Sequence, residues 1–195
     1  MTHRASLVVL LAGLALIGSP GAVGGGEADA GELRAFERPK RGSDVLRAPV
    51  AAFLRVIDSR RIAVYQDRRG RRATLFVAKT RTQLCIMLVN SAPPGVGGAG
   101  GGCSPRGSFF QGRHVSATSG RLFAGVVSND VARVVLVGSR GVRRPLEVTA
   151  DGGFIYDCRA YNGCAGLIAC VEAYGRSGQV LSKQSWMADG CRRRP

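Results

Sequence analysis

Histidine is nearly absent from this 195-residue chain, which contains two. His3 lies in an N-terminal stretch read below as a removable leader, so a processed chain keeps only His114. One imidazole cannot build an H-E-x-x-H site, a multi-histidine metal centre or a histidine proton relay. A Ser-His-Asp arrangement would have to use His114 with a serine such as Ser108, Ser116 or Ser119, and none of these sits in a G-x-S-x-G elbow. In the polar run QGRHVSATSG the lone histidine reads as a surface or turn residue. Aromatic residues are also few, at 6%, too thin for the stacking that single-strand nucleic-acid binders use. Acids number 13, and Asp67, Asp130 and Asp151 fall in evident turns. A glycosidase needs two carboxyls about 5–10 Å apart, one kept protonated. The best remaining pair is Asp157 and Glu172, which would be neighbours if FIYDC pairs with IACVEAY; the simpler reading is that each offsets nearby arginines.

Lysine is scarce too. Of 28 basic residues only Lys40, Lys79 and Lys183 are lysine, and the other 25 are arginine, alongside 28 glycines. A GC-rich genome imposes that bias, which accounts for much of the net charge of +15. The competing reading is a polyanionic partner. Arg60, Arg61, Arg68, Arg69, Arg71 and Arg72 crowd one expected hairpin, Arg143 and Arg144 share another strand, and Arg192, Arg193 and Arg194 stand near the C-terminus. Guanidinium groups fork onto phosphates and carboxylates, so Arg68, Arg69, Arg71 and Arg72 are the candidate surface for an anionic cell-envelope polymer or lipid.

No apolar run reaches the length of about 20 residues that spans a bilayer. What is present is a basic start at His3 and Arg4, an apolar run from Ala5 to Ile17, and small residues beyond. That is a secretory leader over residues 1–24, with cleavage as late as residue 30, followed by a spacer to residue 32. The other reading is an uncleaved anchor. No cysteine near the junction suggests a lipoprotein. The six cysteines, Cys85, Cys103, Cys158, Cys164, Cys170 and Cys191, all follow the leader and are even in number, which fits disulfides in an oxidising compartment. Fifteen pairings are open. Cys85 with Cys103 would pin a Pro/Gly loop, Cys158 with Cys164 or Cys170 would staple RAYNGCAGL, and Cys191 would tie down the tail. The Cys158-x5-Cys164-x5-Cys170 spacing lacks a zinc knuckle, so no metal site or cofactor is expected.

Pro49 to Ile57 places Val50, Phe53, Leu54 and Ile57 on one helical face. From Arg61 the chain reads as eight or nine short strands separated by turns: RIAVYQ, RATLFVAK, QLCIMLV, RLFAGVVS, VARVVLV, VRRPLEVTA, FIYDC, IACVEAY and QVLSKQSW. The glycine run SAPPGVGGAGGG lacks the Gly-Lys-Ser/Thr ending of a P-loop and reads as an excursion between strands. The expected fold is a single antiparallel β-sandwich or barrel-like domain over residues 33–191, with a short N-terminal helix, disulfide-stabilised, and a basic tail at 192–195.

The stretch FERPKRGSDVL, the Cys85 strand with its glycine loop and Cys103, and VVSNDVARVVLV together resemble a group of exported proteins of high-GC actinobacteria. In that group an F-x-R-P-x4-D-x-L stretch precedes a cysteine-stapled β domain. The likeness covers Leu33 to about Tyr174, and the four cysteines from Cys158 onward depart from the pattern. It implies fold and compartment and brings no activity with it. The expected role is therefore a non-enzymatic structural or binding module, secreted or at the cell envelope, with no nucleic-acid partner. The alternative is a small secreted hydrolase using a carboxylate pair.

Overall fold

The computed structural model describes residues 33–91, 99–106, 114–119, 121–158, 164, 167–186 and 190–191. The leader, the spacer, Ser108 and the basic tail lie outside the described residues. Among the described residues two short α-helices, α1 (Arg34–Glu37) and α2 (Ala48–Leu54), with a 3-10 turn at Gly42–Asp44 between them, precede eleven strands: β1 (Asp58–Gln66), β2 (Arg72–Lys79), β3 (Gln83–Ser91), β4 (Ala99–Pro105), β5 (His114–Ser119), β6 (Leu122–Val127), β7 (Val131–Gly138), β8 (Arg143–Leu146), β9 (Gly153–Asp157), β10 (Ile168–Gly175) and β11 (Val180–Ser185). The fold is mainly β, and every strand pairing is antiparallel.

Three sheets form, in the orders β1-β2-β3-β4, β5-β6-β9 and β11-β10-β7-β8. β4 runs beside β5 and β9 beside β1, so the first two sheets curl toward a barrel-like wall. Its interior is the first core, where Leu75, Val77, Leu84 and Ile86 meet Ala124 and Val126, with Leu33 and Ala35 packed in from the N-terminal segment. The third sheet covers the outside of β6 and β9. There Phe123, Val127 and Phe154 pack against Val134, Leu136 and Val171. β6 is thus covered on both faces, which is why LFAGVV is an unbroken apolar run instead of an alternating one. Gly125 allows this packing, since a Cβ there would lie 2.4 Å from Phe154 Cζ and 2.5 Å from the Val115 carbonyl oxygen.

Two strands exceed the expected count. β4 is drawn from the glycine run, whose composition disfavours strands. Close approach explains it: a Cβ on Gly101 would lie 2.0 Å from the Ile86 carbonyl oxygen. β5 is the polar HVSATS, whose weak pattern hid a strand paired along its length with β6. The expected helical stripe is only partly right. α2 lays Val50, Ala51 and the following Val56 over Phe76, Ala78 and Cys85 on the outer face of the first sheet. Phe53 and Ile57 instead stay 86% and 65% exposed. The helix stops at Arg55, which takes a left-handed φ of 52°, so the helical period never reaches Ile57.

Cys85 and Cys103 are register partners on β3 and β4, with Cα atoms 4.0 Å apart. Cys158 is bonded to Cys164 and Cys170 to Cys191. These bridges fit an oxidising compartment. Among the described residues no helix is long and apolar enough to cross a membrane.

The FERPKRGSDVL stretch is a structural lock. Asp44 is fully buried and accepts hydrogen bonds from Arg38 Nη1 (2.7 Å) and Nη2 (2.9 Å) and from the Arg41 (2.7 Å) and Arg61 (3.0 Å) amides. Arg38 also donates to Asp151 on the loop before β9 (2.9 Å) and to the Arg61 carbonyl (3.0 Å). Phe36 lies under the cations of Arg60 and Lys79. One guanidinium therefore ties the N-terminal segment to β1 and to the loop that leads into β9.

Candidate functional site

The β1–β2 tip is rigid because of Asp67. Its Oδ1 accepts from the Arg69 (2.8 Å) and Arg71 (2.9 Å) amides and its Oδ2 from Arg71 Nε (2.7 Å). Gly70 completes the turn with φ +75°. Burial opposes ionisation of Asp67, but the Arg71 side chain and the two amides outweigh it and hold the carboxyl down to about 2. Arg71 is thus half-exposed and already paired, whereas Arg68, Arg69 and Arg72 are exposed at the tip.

Strand register brings another arginine to the same end. The Tyr65 hydroxyl donates to Asp157, and Asp157 is opposite Leu122, the first residue of β6. The β5–β6 turn, with exposed Arg121, therefore sits at the barrel end that carries Arg68, Arg69 and Arg72. Among the described residues no carboxylate forms an ion pair with any of these four. Arg121 was invisible in the sequence because only the register of β6 against β9 places it there.

The other arginines of the expected cluster lie elsewhere. Arg60 and Arg61 are near the opposite end of β1, where Arg60 is buried against Asp58 and the Ser59 carbonyl. Arg143 is on the outer face of the third sheet in a network with Glu172 and Tyr174. Tyr174 accepts from Arg143 (2.6 Å) and donates to Glu172 (2.5 Å), Lys183 lies 3.3 Å from the same carboxylate, and Arg133 covers the Tyr174 ring. Arg144 is exposed on β8, and Arg192 to Arg194 fall outside the described residues.

Asp157 and Glu172 are not the neighbours that the carboxylate-pair alternative requires. β9 pairs with β6, while β10 pairs with β7 and β11, so the two acids belong to different sheets. Burial opposes ionisation of Glu172, yet Tyr174, Arg143 and Lys183 together hold its carboxyl below the usual range. Asp44, held by Arg38, and Asp58, held against burial by Lys40 and Arg60, also shift downward, opposite to what a general acid requires. His114 is not a surface residue: it is buried at the start of β5, with Nδ1 3.1 Å from the Ser182 hydroxyl of β11, and so links the middle and third sheets. Ser116 is half-buried on β5, and Ser119 ends that strand. All six cysteines are bridged, and no cluster of three metal-ligating residues occurs among the described residues. A cleft of about 10 Å³ between β3, β4 and β6, lined by Ile86, Gly101 and Ala124, has room for a water but no substrate.

No protein-family model matches the chain, and no curated protein or solved structure does either.

Proposed function

We propose that the protein is an exported, non-enzymatic binding module of the cell envelope that holds an anionic polymer or lipid headgroup at the arginine-bearing end of its barrel-like wall. The observation that carries this reading is the convergence of Arg68, Arg69, Arg72 and Arg121 on one end, without a carboxylate partner among the described residues. Guanidinium forks suit phosphate and carboxylate oxygens, and a tip fixed by Asp67 holds them with little ordering cost on binding. The leader-like N-terminus and the three disulfides support the compartment. The resemblance to exported proteins of high-GC actinobacteria would place it on that type of envelope.

The test is co-sedimentation with purified cell envelope. Replacing Arg68, Arg69, Arg72 and Arg121 together by Gln is expected to lower retention at least tenfold. Unchanged retention removes the proposal.

A further inference from the structure

A second surface, remote from the arginine tip, combines apolar exposure with positive charge. Val45, Phe53 and Ile57 are 61%, 86% and 65% exposed, a concentration of large apolar side chains within one short segment. Arg47 and Arg55 are exposed within that segment, and residues 45–57 contain no acid. The nearest acids in sequence are committed: Asp44 is buried under Arg38, and Asp58 is paired with Lys40 and Arg60. The Ile57 amide donates to the Lys79 carbonyl (2.8 Å), which fixes this patch at the end of β2 opposite Arg72.

Arg55 adds an independent observation. It occupies the left-handed position that closes α2, where glycine is the least strained residue. A long cationic side chain stands there instead, two residues after Phe53, the most exposed of these apolar residues. The buried face of α2 is already satisfied against Phe76, Ala78 and Cys85, so Phe53 is not a core residue awaiting a partner within the sheet.

We infer that this face docks on an anionic lipid surface. Phe53, Ile57 and Val45 would enter the headgroup–acyl boundary while Arg47 and Arg55 meet lipid phosphates, the arrangement of interfacial amphipathic segments. The charge complementarity selects a lipid surface over a second copy of this basic chain, which would set arginine against arginine. The inference goes beyond the polymer-binding end and does not depend on it.

The experiment is co-sedimentation of the exported protein with vesicles of phosphatidylglycerol and phosphatidylcholine, compared with pure phosphatidylcholine. Phe53→Ser/Ile57→Ser is expected to weaken binding to anionic vesicles at least tenfold while thermal stability is kept, because both side chains are exposed. Arg47→Gln/Arg55→Gly, which also relieves the left-handed backbone, is expected to abolish the preference for anionic over neutral vesicles. Retention on lipid-extracted envelope polymer should be unchanged in both, which separates this surface from the arginine tip. Undiminished vesicle binding in both variants overturns the inference. So does loss of binding only when Arg68, Arg69, Arg72 and Arg121 are replaced, or a wild-type dimer that Phe53→Ser/Ile57→Ser dissolves.

Discussion

Replacing Asp44 by Asn keeps the size of the side chain and removes its charge at the centre of the N-terminal lock. The carboxylate accepts four hydrogen bonds, two from Arg38 and two from backbone amides, and it is fully buried. An Asn there turns an NH2 toward donors that need an acceptor. Removing one member of a buried pair costs about 3–5 kcal/mol. Arg38 keeps Asp151 and the Arg61 carbonyl, so its charge is not abandoned and the lower bound, about 3 kcal/mol, applies. Urea unfolding of the disulfide-intact protein, followed by fluorescence of Trp186, which packs edge-on to the buried Phe123, measures the loss directly. Hydrogen exchange at the Arg61 amide, a direct donor to Asp44, should accelerate in parallel. A loss under about 0.5 kcal/mol, the range of ordinary surface substitutions, would show that the lock does not hold the N-terminal segment.

The same carboxylate predicts a pH profile. The Asp44, Asp58, Asp67 and Glu172 carboxyls all sit below their ordinary values when folded, so their contribution is complete above about pH 5 and is lost as pH falls further. Urea midpoints should be flat from neutrality to about pH 5 and fall steeply below about pH 4; a midpoint that rises on acidification contradicts this. Gly125→Ala forces a Cβ against Phe154 and the Val115 carbonyl and should cost about 1–3 kcal/mol in thermal melts. Gly102→Ala, where the space is open, should be near neutral, and equal effects would refute the two-faced packing of β6. Replacing Cys85 and Cys103 by Ala opens a loop of sequence separation 18 and should cost about 3 kcal/mol, against about 2 for Cys158 and Cys164 at separation 6. The reverse order in melting temperatures would contradict that chain-entropy ranking.

Strand character and turns were largely legible, because apolar runs such as RATLFVAK, VARVVLV and IACVEAY each have a positive-φ glycine in an adjoining turn, Gly70, Gly141 and Gly178 respectively. What the sequence hid depends on contacts distant along the chain. β4 looks like a loop until Ile86 is seen pressing on Gly101, and β5 looks polar until β6 supplies its partner. The helical stripe failed at Ile57 because periodicity does not report where Arg55 ends the helix, and at Phe53 because α2 packs through Val50 and Ala51. His114 looked exposed because its neighbours are polar, and the partner that buries it, Ser182, is 68 residues away. At the candidate site the tip arginines were visible as a run, but Arg121 joins them only through strand register, and Arg60 and Arg61 leave the cluster because β1 is nine residues long.

The most direct test of anion binding at the barrel end is the salt dependence of affinity for a soluble polyanion, linear polyphosphate. Each phosphate neutralised adds about 0.7–0.9 to the slope of log affinity against log salt. Replacing Arg68, Arg69, Arg72 and Arg121 by Gln should therefore flatten that slope by about three. An unchanged slope in a folded variant would mean that the charge of this chain is spread over its surface and that the arginine end binds nothing in particular.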